Sequence, residues 1–130
     1  MERLKRRPDF LRVAATRRRW VGDGLILQAD RRPASDGTAA LPQARVGLTV
    51  SRKVGNAVAR NRARRRLRAV AAELLPGHAA AGHDYVLVGR AGTLRRPYAG
   101  LRADLEAGLR RLGLWRGGPA APGGTVTEGA

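Results

Sequence analysis

From Ala57 to Leu75 the chain contains neither Gly nor Pro and is built almost wholly of Ala, Leu, Val and Arg. Such a stretch folds as a long helix, and its two kinds of residue decide what that helix can pack against. At about 100° per residue, Ala63, Leu67, Val70 and Leu74 gather on one side, flanked by Ala59 and Ala71. Asn61, Arg62, Arg65 and Arg68 fall on the opposite side, with Arg60, Arg64 and Arg66 near the borders. The helix must therefore dock its apolar stripe on another layer and turn a row of guanidinium groups outward. Pro76-Gly77 is expected to end it.

The rest of the chain supplies that layer. Arg45-Val46-Gly47-Leu48-Thr49-Val50-Ser51 alternates, with Val46, Leu48 and Val50 on one face of a strand. Gly24-Leu25-Ile26-Leu27-Gln28-Ala29 reads as a second strand between turn signals. The Pro, Gly, Ser and Asp of residues 30–43 indicate a loop, and loop plus flanking strands suggests an antiparallel pair. Asp84-Tyr85-Val86-Leu87-Val88-Gly89 is apolar at four consecutive positions and is expected to be central, buried on both faces. A first helix is expected with Asp9 as its cap, carrying Phe10, Leu11, Val13 and Ala14. A last helix spans about Tyr98 to Leu112, with Leu101, Leu105, Leu109 and Leu112 at helical spacing. The order helix, two strands, long helix, strand, helix argues for an α+β fold, a small sandwich whose sheet is covered by helices. Residues 1–112 form one domain, and the Gly, Pro and Ala of 113–130 read as a disordered tail.

Charge narrows the partners. Lys plus Arg number 26 against 10 Asp plus Glu, a formal net charge of +16, and the only lysines are Lys5 and Lys53. Within Ser51–Arg68 eight residues are basic and none is acidic. Arginines three or four apart repel one another on an isolated helix by a few tenths of a kcal/mol each, roughly. A nucleic acid backbone offsets that repulsion, and arginine pairs with phosphate through two parallel donors. A solvated basic face with no fixed partner and an anionic membrane surface are the competing readings. The modest Ala/Leu/Val stripe, and strands that need cover, argue against a membrane-bound helix. No apolar run approaches the roughly 20 residues that span a bilayer, and no signal segment opens the chain, so a cytoplasmic protein is expected.

The chain has no cysteine, which excludes disulfides, thiol catalysis and Cys-based zinc sites. Its histidines, His78 and His83, lie in a small-residue linker, and its carboxylates are scattered. Phosphodiester hydrolysis needs a general base, metals or both, and no such set is visible. Gly55-Asn56 precedes the long helix, where free backbone N–H groups can hold a phosphate or where a tight turn simply needs Gly.

The run Gly55-Asn56-Ala57-Val58 followed by Arg60-Asn61-Arg62 and Arg64-Arg65 resembles the signature of the bacterial ribonuclease P protein family. Val46 to Val54, Leu4-Lys5-Arg6 with Asp9-Phe10, and Asp84 to Val88 match that family too, and the resemblance covers roughly residues 3–112. It implies an αβββαβα sandwich with a left-handed βαβ crossover around the long helix, and so a further short strand. It implies a subunit that binds the catalytic ribonuclease P RNA and the 5′ leader of precursor tRNA, while the RNA, with Mg²⁺, performs the cleavage. The protein is then monomeric within a ribonucleoprotein and holds no metal of its own. RNA-binding positions carried over are Arg52, Lys53, Asn56, Arg60, Asn61, Arg62, Arg64, Arg65 and Arg68. A separate leader cleft, between the first helix and the sheet, would use Phe10, Arg12, Leu27 and Arg45, with Arg52 in support. Here the sequence departs from the family. The next expected aromatic, four residues after Phe10, is Ala14, and the strand aromatic is an aliphatic near Leu25 or Leu27. Phe10 matches the family's first stacking aromatic, with a core residue as its alternative reading, and Trp20 reads either as a base-stacking residue or as core. A structural RNA-binding protein of ribosomal type is the alternative that composition leaves open.

Overall fold

The computed structural model describes residues 2–32 and 43–117. Strand β1 (Glu2–Arg3) leads into helix α1 (Arg7–Ala15), followed by β2 (Arg19–Val21), β3 (Leu25–Arg31) and β4 (Arg45–Val50). A 3₁₀ turn over Arg52–Val54 precedes α2 (Ala57–His78), then come β5 (His83–Gly89), α3 (Ala91–Arg95) and α4 (Tyr98–Arg111). The strands form one sheet in the order β1-β4-β5-β3-β2. This is the α+β sandwich the sequence indicates, with β1 and α3 as short additions. The short strand implied by resemblance is β2, which begins on the last residue of the basic run Arg17-Arg18-Arg19.

β5 takes the centre, as its apolar run requires, and Asp84 to Leu87 are all buried. It pairs antiparallel with β3 and parallel with β4. The expected β3–β4 pairing is therefore corrected: the two run antiparallel but flank β5. The most apolar strand takes the place between them and displaces β4 from direct pairing.

Register fixes the faces. Leu27 lies beside Leu87 and Leu48, and this row faces α2 and α4. There Leu25, Ala29, Tyr85 and Val50 meet Ala63, Leu67, Val70 and Leu74 of α2 and Leu101, Leu105 and Leu109 of α4. Tyr85 is the aromatic buried in this core; its hydroxyl donates to Ala80 O at 2.7 Å, and burial pushes its pKa up against the nearby Arg116 and Arg18 charges. The opposite face, with Gln28, Val86 and Gly47 in one row, carries α1 through Leu4, Phe10 and Val13. Trp20 is a packing residue: a β carbon on Gly22 or Gly108 would come within 2.4 or 3.0 Å of its ring, so the indole lies between the β2–β3 turn and α4.

Three boundaries move. Asp9 does not cap α1; Arg6 holds the cap position and Asp9 sits in the first turn beyond Pro8, where its charge suits the helix dipole. α2 runs through Pro76 to His78, because Pro76 falls in the last turn and Ala79 N–H still reaches Leu75 O at 3.0 Å. Packing continues past residue 112: Leu114 is buried, Trp115 bridges Ala79, and its ring stacks on His78 with centroids 4.2 Å apart. Most of the expected 30–43 loop and residues 118–130 of the expected tail lie outside the described residues. Among the described residues no helix is long and apolar enough to cross a membrane.

Candidate RNA interface

α2 begins where Ser51-Arg52-Lys53 turns off the end of β4. Ser51 Oγ accepts from Lys53 N–H, and Gly55 then adopts φ +149°, a conformation that side chains disfavour. Asn56 Oδ1 accepts from Ala59 N–H at 2.9 Å and caps the helix. Its predicted place in the RNA site is thus narrowed: one end of its amide holds the helix start. Asn56→Ala is expected to cost about 1 kcal/mol of stability, measurable by urea unfolding.

Downstream, the face divides as the wheel predicts. Ala63, Leu67, Val70 and Leu74 are buried, while Asn61, Arg62, Arg65 and Arg68 are exposed. Arg60 and Arg64 lie at the borders, half-buried, and Arg64 Nη1 donates to Asn61 Oδ1 at 3.3 Å. Arg52 and Lys53 are exposed beside the helix start. Among the described residues, no carboxylate pairs with Arg62, Arg65 or Arg68. Arg66 is different. It turns to the α3–α4 side and donates to Arg96 O.

The groove beside α1 is a separate feature of about 440 Å³, lined by Lys5, Arg7, Phe10, Leu11, Ala14, Gln28, Thr49 and Val86. A β carbon on Gly47 would come within 2.5 Å of the Phe10 ring, so any larger residue there would push the ring aside. That ring belongs to the small α1 core and also walls the groove, joining both readings made of it. Leu11, on the groove wall, is more than half exposed.

Leu27 does not reach this groove. It is 0% exposed and points into the core beneath α4; strand alternation places Ile26 and Gln28 on the α1 side instead. Leu27→Ala is expected to lose about 2–5 kcal/mol of stability through the cavity it leaves, read by chemical denaturation.

Arg12 and Arg45 are brought together, but around an acid. Arg45 donates to both carboxylate oxygens of Asp84 at 2.7 and 2.6 Å, and Arg12 donates to Asp84 and, at 2.8 Å, to Asp30. Asp9 lies 3.5 Å from Arg12 and 3.7 Å from Arg45. Burial alone would lower the Arg12 pKa; the hydrogen bonds and charges of Asp30 and Asp84 outweigh it and raise it. The two guanidiniums predicted to line the cleft thus neutralise a buried carboxylate, and neither is among the residues that line the groove. Sequence reasoning missed Asp84, although an acid opening the most apolar strand was a signal that a cation must meet it.

A helix whose first half is rich in arginine and free of acids on one layer, and an open basic groove on the other, define a small RNA-binding α+β protein. The comparisons with known proteins give the family. The ribonuclease P family model matches residues 1–113. The ribonuclease P protein component of Paramagnetospirillum magneticum is 58% identical over 113 residues, covering 87% of this chain and 84% of that one. The component of Ruegeria pomeroyi is 48% identical over 110 residues, covering 84% of each. The Staphylococcus aureus RNase P protein structure superposes with a TM-score of 0.69 at 21% identity, over 89% of this chain and 99% of that one. An RNase P protein structure from Thermotoga maritima gives 0.67 at 25%, over 84% and 98%. The chain belongs to the ribonuclease P protein family. It is a subunit of that endoribonuclease and associates with the ribonuclease P RNA.

Proposed function

We propose that the outer face of α2 is the surface bound to the ribonuclease P RNA, and that the α1 groove receives the single-stranded 5′ leader of precursor tRNA. The observation that carries this reading is the row Arg62, Arg65 and Arg68, exposed without carboxylate partners and continuous with Arg52 and Lys53. The second half rests on Lys5 and Arg7 beside the Phe10 ring, a cationic wall next to an aromatic one. The protein acts electrostatically, as a monomer in the cytoplasm. It lowers repulsion between two polyanions and holds the leader, while the RNA and its Mg²⁺ supply the bond cleavage.

Cleavage of precursor tRNA by a bacterial ribonuclease P RNA at low Mg²⁺, without and with the protein, tests the whole reading. A large rescue is expected. Tight RNA binding with no rescue would favour a purely structural RNA-binding role. Phe10→Ala tests the groove: precursor binding should weaken by about 1–3 kcal/mol, the worth of one stacked base, while mature tRNA binding stays unchanged. Equal effects on both substrates would remove the leader from the groove.

A further inference from the structure

A second cavity, of about 410 Å³, opens at the outer edge of β4, between the chain start and α2. Its apolar wall comes from Leu4, Val46, Leu48 and Ala72, and Arg3, Arg64 and Arg68 stand at its rim. No carboxylate among the described residues lines it. β1 pairs with β4 only at Arg45 and Val46, and Leu4 N–H then donates to Val46 O at 2.8 Å. Val46 O thus points outward. With the period of two along a strand, the N–H and C=O of Leu48 point outward as well, past the end of β1 and into the cavity.

We propose that this cavity holds one unpaired nucleotide of the RNA bound by α2; the inference rests on that reading of the helix. The base packs between Leu4, Leu48 and Ala72, and its edge meets the donor and acceptor of Leu48. The phosphate lies against Arg64 and Arg68. The volume is within the range of small-ligand sites. Three guanidiniums without an acid call for an anion, which disfavours a neutral ligand. The free length of β4 edge ends at Val50, too short for an added peptide strand. Arg64 and Arg68 belong to the α2 basic face, so an RNA crossing that face passes the cavity mouth. Phe10 walls both this cavity and the α1 groove, and so cannot discriminate them.

Ala72 can. It is exposed, helical and uncharged, and Ala72→Trp fills the cavity without removing a cation. Affinity for the ribonuclease P RNA should fall about tenfold, in the range of one lost base contact, with an unchanged salt dependence. In the unmodified protein, AMP, CMP, GMP or UMP should produce saturable NMR shifts at the Leu4, Leu48 and Ala72 methyls, which added RNA abolishes. Wild-type affinity of Ala72→Trp, with binding weakened in an Arg62→Ala/Arg65→Ala variant, overturns the pocket and leaves the helix reading intact. Wild-type affinity in both variants overturns the helix reading itself. Shifts with decanoate but with none of the four nucleotides overturn the nucleotide and assign the cavity to an apolar anion.

Discussion

Asp84→Ala is expected to destabilise the fold by about 3–5 kcal/mol, the cost of removing one partner from a buried ion pair. Asp84 is fully buried, and its two oxygens are shared by Arg45 and Arg12. Without it, two guanidiniums on neighbouring elements face each other across the start of β5. Among the described residues, Asp9 and Asp30, both part-exposed, are acids still placed to balance them. For a domain of this size the melting temperature should drop by more than about 10 °C, read by circular dichroism. Asp84→Asn keeps hydrogen-bond acceptance but loses the charge, and should fall between. A loss below about 1 kcal/mol for Asp84→Ala would mean that the arginines simply swing to solvent, and that the cluster has no structural role. Combining Asp84→Leu with Arg45→Met should recover much of the stability, because an apolar pair of similar volume needs no compensation.

This cluster also shows where sequence reasoning stopped. Asp84 is 72 positions from Arg12 and 39 from Arg45 along the chain, and only the register Asp30↔Asp84↔Arg45 sets the row that Arg12 of α1 then reaches. Periodicity is local and does not contain that register. The same gap misplaced Leu27. Alternation says that Leu25, Leu27 and Ala29 share a face, but not whether it meets α4 or α1; the pairing Leu27↔Leu87↔Leu48 decides that. α2 was legible because a helix carries its own phase: the apolar stripe and the arginine face are both written within one element. β5 was legible because an apolar run admits only a central position. β2 was not, since three residues that follow a basic run, with Arg19 and Val21 exposed and Trp20 half-exposed, make no pattern. The order of β3, β5 and β4 depends on pairings between segments distant in the chain, and no local signal records it.

Replacing Arg62, Arg65 and Arg68 together by alanine should weaken RNA binding and flatten its salt dependence at once. Each lost phosphate contact removes about 0.7–0.9 from the slope of log K against log salt, so three contacts remove about 2–3. Filter binding across a range of KCl concentrations gives both quantities, and the rescue of precursor tRNA cleavage at low Mg²⁺ should disappear with them. Stability should move the other way. Arg62–Arg65 and Arg65–Arg68 are i,i+3 like-charge neighbours without carboxylate partners, and alanine has the higher helix propensity, so the variant should gain a few tenths of a kcal/mol, roughly. The opposed signs make the test sharp: a protein that binds less because it folds less would lose both. If affinity fell with the slope unchanged, the arginines would act on RNA through shape or stacking rather than phosphate. If neither changed, the exposed guanidinium row would be a solvated surface, and the RNA would have to approach from the groove side of the sheet.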